Sequence, residues 1–440
     1  MAVRPAPMSV ARSLAATALV VLVWACSPGV TPTPGGSGLP RASASSVTAG
    51  TSAASSPSPT GLRCGDSRGS LAAPTYAFLR VSIPAGSDSC QDIGPLASPQ
   101  FLSITNDGPN VAFNARDAGD SGNLWYGDLR TGSVKVVYKA TEAKGAVTDI
   151  WTPQLAAGKL LWIEDVHDGD STSDPVKAWS LKTMDIASGT VTELAHDDMP
   201  KYGGRMYADS IKFDGKRIAV LEALADGTWR IEVRDLSGTV QGYAAVPGDP
   251  YDFALTSDGL LFTSGTQDPV SGAVGHMHLW RWTVGSGTKA IGTDSYQVNS
   301  DGGLAAWVLD PDASKNVNGW FRDQRLYAAA SPFTAPKAIS PVLSATGTMG
   351  LDGMAVGSGT VAWWERESYV DQAWLDVLTL WQPGWSSPIQ VDTGGSSSYF
   401  VSANAGWLVW TEEDGRGSAD QKERVRGIPL SVLASERGQT

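Results

Sequence analysis

Apolar and polar positions alternate in short bursts along most of this chain, and the bursts recur in a fixed order. In Asn106-Asp-Gly-Pro-Asn-Val-Ala-Phe113 an Asp-Gly turn leads into a short apolar strand. A polar loop follows, and then Asn123-Leu-Trp-Tyr-Gly-Asp-Leu-Arg-Thr-Gly132, a second strand running into a Thr-Gly hairpin turn. Val134-Lys-Val-Val-Tyr138 is the strand that leaves that turn. The same order returns to the end of the chain. A glycine precedes an apolar strand at Gly108, Gly158, Gly215, Gly259, Gly302, Gly359 and Gly406, at intervals of 43 to 57 residues. Glycine suits a turn that needs a positive φ, because it has no Cβ to clash.

The remaining strands fall into register with that repeat. Phe101–Thr105, Tyr251–Leu255 and Tyr399–Ser402 are expected as innermost strands. Leu124–Tyr126, Trp229–Val233, Leu279–Thr283 and Trp374–Leu380 are expected as third strands. Ser188-Gly189, Ser237-Gly238 and Ser286-Gly287 repeat the hairpin turn. About four strands per unit, at a period near 45 residues, is the pattern of propeller blades. The expected fold is therefore all-β: a seven-bladed β-propeller. Its last unit is incomplete, because only a polar tail follows Arg424–Leu430. An unpaired edge is a liability in a ring. Thr75–Ile83 precedes the first unit with no partner of its own, so this N-terminal strand is expected to close the last blade. Cys64 and Cys90 flank it, and a disulfide between them would hold the closing segment in place.

The N-terminal part of the chain reads differently. Residues 1–25 have a basic start, Arg4 and Arg12, and an apolar core from Leu14 to Val23, which suits a signal peptide. Val23-Trp-Ala-Cys26 resembles a bacterial lipobox. That resemblance implies cleavage before Cys26 and a lipid on its thiol, placing the protein outside the cytoplasm on the cell membrane. An ordinary secretory signal with a chance cysteine is the alternative. Residues 26–63 are Ser, Thr, Pro, Gly and Ala with almost no large apolar side chain, so a disordered tether is expected. About 35 such residues reach roughly 33 Å end to end. The propeller is then expected over 64–440, with the closing strand near 75–83 and the repeats near 100–440.

The Asp-Gly turn, apolar strand, Leu-Trp and Asp-Leu-x-Thr-Gly hairpin, taken together, resemble the TolB-like β-propeller repeat over about residues 100–440. TolB proteins carry an α/β domain before the propeller, where this chain has the tether. Prolyl-oligopeptidase-type enzymes add a hydrolase domain, for which there is no room here. The resemblance implies a propeller that binds peptides or proteins at one face or in its channel. It carries over no catalytic residue, since fold alone does not set function.

Composition narrows the classes further. Asp and Glu number 45 against 33 Lys and Arg, a net charge of −12, which argues against a nucleic-acid partner. The loops after the second strands are acidic: Asp117 and Asp120, Asp165 and Asp168, Asp310 and Asp312, Glu365, and Glu412. Equivalent loops of a propeller share one face, so these residues are expected to form an acidic rim that attracts a basic partner. Simple solubility is the alternative reading. Asp165, Asp168 and Asp170 also supply hard oxygen ligands of the kind Ca²⁺ takes, although the EF-hand spacing is absent. His276 and His278 offer two imidazoles without an evident third ligand.

Motifs for serine hydrolases, zinc peptidases and P-loop enzymes are missing, and no catalytic residue is assigned. Gly285–Ala290 and Gly357–Ala362 fit a dinucleotide fingerprint in letters only, since no helix is expected after either. Trp162, Trp307, Trp363 and Trp410 recur at one strand position and are expected to pack blade on blade; Trp151, Trp320 and Trp385 lie nearer loops. Three functions remain open: a binding module for a peptide, protein or envelope component; a glycan-active enzyme using rim carboxylates; and a structural or sensor module.

Overall fold

The computed structural model describes residues 79–81, 91–97, 100–116, 123–140, 147–167, 176–197, 211–224, 226–267, 274–310, 324–342, 350–370, 373–391, 400–414 and 422–437. All belong to one compact unit. Two strands precede the first repeat, β1 (Leu79–Val81) and β2 (Gln91–Ala97). Blade one is then β3 (Gln100–Asp107), β4 (Asn110–Arg116), β5 (Asn123–Asp128) and β6 (Ser133–Lys139). Blade two is β7 (Val147–Ala156), β8 (Lys159–His167), β9 (Val176–Asp185) and β10 (Val191–Asp197). Blade three is β11 (Ile211–Phe213), β12 (Arg217–Ala223), β13 (Trp229–Asp235) and β14 (Val240–Val246). Blade four is β15 (Asp249–Thr256), β16 (Gly259–Gln267), β17 (Val274–Thr283) and β18 (Gly287–Thr293). Blade five is β19 (Ser295–Ser300), β20 (Leu304–Leu309), β21 (Arg325–Ala330) and β22 (Lys337–Ala338). Blade six is β23 (Gly350–Gly357), β24 (Thr360–Val370), β25 (Ala373–Trp381) and β26 (Ile389–Val391). Blade seven begins with β27 (Val401–Asn404), β28 (Trp407–Asp414) and β29 (Lys422–Pro429), and a helix, α1 (Leu430–Arg437), follows.

These are seven antiparallel sheets in a ring. The inner strands β3, β7, β11, β15, β19, β23 and β27 each contact the next, and β27 meets β3. The seven-bladed propeller read from the repeat is the observed fold. The closing strand differs from expectation. β2 pairs antiparallel with β29 and becomes the outer strand of blade seven, Gln91 opposite Gly427 and Ala97 opposite Lys422. Of the segment 75–83, Leu79–Val81 instead adds in parallel to β26, as a fifth strand on blade six.

Chain connectivity explains the correction. An outer strand hands over to the next blade's inner strand in few residues, as β18 does to β19, and β2 ends three positions before β3 begins. Pro95 hides β2 in the sequence, because proline argues against a central strand. It falls at an edge, inside the register shift between Ile93 and Leu96, where it is tolerated. The disulfide pair, Cys64 and Cys90, lies outside the described residues, as do residues 1–63. The C-terminal tail also departs from expectation: α1 buries Leu430 and Leu433 against blades six and seven.

The core is seven apolar layers, one at each blade interface. The alternation of each middle strand produces them, because odd and even side chains face opposite neighbours. In β24, Trp363 packs toward blade five and Trp364 toward blade seven. Trp162, Trp307 and Trp410 fill the corresponding layers, as the sequence predicts. Gly357 is required at one crossing, where a Cβ would sit 1.5 Å from the Ala403 carbonyl oxygen.

Candidate functional site

Each inner strand starts beside the loops that join second to third strands and ends at the tight turn into the second strand. That topology gives the propeller two unlike ends. The turn end is stitched from blade to blade. Asp107 Oδ2 accepts the Gly158 N–H at 3.0 Å, Asp301 Oδ2 accepts that of Gly359 at 2.7 Å, and Ser358 Oγ accepts that of Gly406 at 2.8 Å. Between blades four and five the backbone does the same work, Ser257 N–H to Gly302 O at 2.9 Å. Ring closure is denser: Asn106 Nδ2 donates to Asn404 O and Asn404 Nδ2 to Asn106 O, each at 3.1 Å, and Ser402 Oγ donates to Asn106 Oδ1 at 2.7 Å.

The loop end gathers buried polar side chains. In blade two Thr148, Asp149, Asp165 and His167 are all buried, and β7 and β8 set Asp149 opposite Asp165. His167 Nε2 lies 3.7 Å from Asp149 Oδ2. Between blades four and five the Tyr251 and Tyr296 rings meet edge to face, centroids 5.9 Å apart. Asp310 N–H donates to Asp294 O at 2.9 Å beside them. Burial, then the carboxylates of Asp310 and Asp294, then Tyr251, push the Tyr296 phenol well above the ordinary tyrosine range. In blade six Glu365 is buried and accepts the Trp363 indole N–H at 2.5 Å. Lower in the ring, Asp252 accepts the Val298 and Phe253 N–H groups at 2.9 and 2.8 Å, with Lys212 Nζ 3.5 Å away.

Inner-strand bulges accompany this end. Pairing shifts register between Phe101 and Ser103, Trp151 and Gln154, Pro250 and Asp252, Ser295 and Val298, and Leu351 and Met354. A bulge breaks the alternation of side chains and re-aims those that follow it. In β7 the bulge holds Thr152 at φ 42°, a conformation that β-branched residues rarely adopt. No repeat in the sequence marks these bulges, since each uses different residues.

The expected rim is thereby corrected where the structure describes it. Asp165, Asp310 and Glu365 are buried at 2%, 0% and 3% exposure, so they form no open acidic surface. For Asp165 and Glu365 the reason is strand length, since β8 and β24 extend past their apolar runs and carry these acids inside the sheets, while Asp310 directly follows β20. Glu412 also belongs to a strand, β28, opposite Arg424, and not to a loop. Asp117, Asp120, Asp168, Asp170 and Asp312 lie outside the described residues. Of the Ca²⁺ candidates Asp165, Asp168 and Asp170, only the buried Asp165 is described. Among the described residues no group of three or more His, Cys, Asp or Glu side chains is placed to hold a metal ion. His278 leans on Trp280, ring centroids 5.7 Å apart. Trp151 and Trp385 are half-buried against blade interfaces rather than presented as platforms; Trp320 is outside the described residues.

Other charges are structural. Lys182 Nζ meets Glu164 Oε2 at 2.9 Å between blades one and two, and Tyr138 Oη donates to the same oxygen at 2.8 Å. Burial alone would lower the Lys182 pKa, yet the hydrogen bonds and charge of Glu164, helped by Tyr138, raise it. In blade three Glu222, Arg230, Glu232 and Arg234 form one network, with Arg230 bonded to both carboxylates at 2.7 and 3.0 Å. Such groups hold each other in place and leave little for a ligand.

The loop end is therefore where a rigid ring presents hydrogen-bonding and titratable groups just below variable loops. No protein-family model matches the chain, and no curated protein matches it in sequence. Solved structures do match in fold. The propeller domain of the trilobed protease from Pyrococcus furiosus is 11% identical, with 74% of this chain and 98% of that domain covered, at a TM-score of 0.51. The Pyrococcus horikoshii acylaminoacyl peptidase is 12% identical, with 76% of this chain and 52% of that protein covered, at a TM-score of 0.52. TolB from Acinetobacter baumannii is 15% identical, with 74% of this chain and 65% of that protein covered, at a TM-score of 0.40. This chain thus spans one whole propeller domain but about half of a peptidase built on one, and the likeness is one of fold: a seven-bladed β-propeller.

Proposed function

We propose that this protein is a lipid-anchored, extracytoplasmic binding module that takes a peptide or protein segment of the cell envelope at the loop end of its propeller. The observation that carries the reading is the asymmetry of the ring. Its turn end uses its polar groups on blade-to-blade bonds, whereas its loop end concentrates Asp, Glu, His and Tyr beneath loops of different length. Those side chains are themselves buried, so they would anchor the rim from which the loops meet a peptide rather than contact it directly. The two neighbours of similar fold are named as a protease and a peptidase, which supports a peptide ligand class. The N-terminal apolar run, the Ala25-Cys26 step and the Ser/Pro-rich stretch after it support the anchor and tether. Burial of Glu365 against Trp363 weighs against its use as an open-rim glycosidase carboxylate.

A photo-crosslinking amino acid in place of Tyr251, at the loop end, tests the reading in native envelopes. It should yield a discrete protein or peptide adduct, while the same group in place of Lys216, at the turn end, should yield none. Equal labelling from both positions, or none from either, rejects a loop-end site. In the same cells Cys26→Ser should move the protein from the membrane to the soluble fraction.

A further inference from the structure

The described chain enters and leaves the ring at the same end. β1 runs parallel to β26, with Leu79 opposite Ile389 and Val81 opposite Val391. β26 begins where the β25–β26 hairpin ends, so Leu79 lies at the turn end and the strand heads toward the loop end. At the other terminus, Leu430 N–H donates to Gly406 O, in the β27–β28 turn, at 2.8 Å. α1 then packs Leu430 and Leu433 with Trp385 of the β25–β26 hairpin, and it also contacts β1. Charge divides between the two ends as well. In the sequence, the connections at the loop end, from second to third strands and from each outer strand to the next blade, hold 17 acidic and 6 basic residues, or −11. The turns and hairpins at the other end hold 3 acidic and 2 basic residues, or −1. The two ends of one ring thus differ by ten charges.

We propose that the turn end of the propeller faces the membrane and the loop end is held away from it. The inference rests on the lipid anchor at Cys26 set out above. Cys26 to Phe78 is 53 residues, and a coil of that length spans roughly 40 Å. To bring the loop end to the bilayer, this segment would have to run the height of a blade, about 27 Å for the eight residues of β28 at about 3.4 Å each. It would also press the acidic connections against the headgroups. An anionic lipid surface repels such segments within roughly 10 Å. With the turn end down, the segment joins the ring on the side nearest the bilayer and the acidic connections stand clear of it. The loop-end site then meets its partner on the side away from the membrane.

Energy transfer to the membrane surface tests the orientation. The chain is purified from bacterial membranes with its lipid and added to preformed vesicles containing phosphatidylglycerol and an acceptor dye on the lipid headgroups. A donor fluorophore is carried on a non-natural amino acid in place of Lys216 or of Asp226. Both positions are exposed and belong to blade three, Lys216 at the turn end and Asp226 at the loop end. Transfer falls steeply with height, so across a blade about 27 Å tall the Lys216 position should transfer at least about three times as efficiently as the Asp226 position. Equal transfer from the two positions, or more from Asp226, overturns the orientation while leaving the anchor standing. Failure of the wild-type chain to float with the vesicles, or flotation of Cys26→Ser, overturns the anchor and the orientation with it.

Discussion

Asn106 is fully buried, and its side chain serves three partners at once: Gly108 O within its own turn, Asn404 O across the ring closure, and the Ser402 hydroxyl that donates to it. Alanine there removes all three bonds and leaves buried groups unsatisfied. At about 1 kcal/mol per lost bond, Asn106→Ala should cost about 2–4 kcal/mol, read as a lower urea midpoint with an unchanged slope. Exposed turn aspartates act through protons instead. Hydrogen bonds from Ser188, Thr228 and Ser237 hold the carboxyls of Asp185, Asp226 and Asp235 below their ordinary range. A lowered pKa in the folded state means the folded form binds protons more weakly than the unfolded one. Stability from these groups is thus fully present above about pH 4, the unfolded value, and is lost as pH falls through the folded values. A triple Asp→Asn variant at 185, 226 and 235 should melt below wild type at pH 6 and converge with it near pH 2.

At the scale of elements, the repeat supplies strands but the ends of the chain decide how the ring shuts. β2 covers the outer edge of β29, and β1 covers that of β26. Their removal should have unequal effects. Truncation to residue 82 takes away a three-residue parallel strand and should leave a cooperative melt within a few degrees of the full chain. Truncation to residue 98 exposes the whole edge of blade seven beside the Asn106–Asn404 closure. That shorter form should melt at least 10 °C lower or elute as aggregate on gel filtration. Equal stability of the two truncations would show that β2 does not close the ring. The contrast also separates β2 from the segment Thr75–Ile83, the one closing strand expected from the sequence.

In the whole molecule, rigidity and recognition lie at opposite ends of the same strands. Inter-blade bonds at the turn end are repeated, because Asp-Gly and Ser-Gly turns recur in the sequence. Polar groups at the loop end differ from blade to blade: His167 with Asp149, Tyr296 with Asp310 and Asp294, Glu365 with Trp363. Burial and Glu222 push Glu232 above its ordinary range against the pull of Arg234 and Arg230.

The sequence by itself determined the blade: glycine before the second strand, period-2 alternation, Thr-Gly and Ser-Gly hairpins, and tryptophans at one repeated position. These signals are local, because turn geometry and strand alternation depend on residues a few positions apart. Seven copies of such a unit also set the number of blades. Tertiary structure alone decided which N-terminal segment closes the ring, since pairing between Gln91–Ala97 and Lys422–Pro429 joins residues more than 300 positions apart. It also decided the fate of the acids. Asp165, Asp310 and Glu365 follow apolar runs and look like loop residues, yet the folded ring buries them. Burial depends on what another blade brings close, and no window of sequence contains that information. The Asp-Gly turn shows both levels at once: its glycine is a local requirement, whereas its aspartate reaches the next blade.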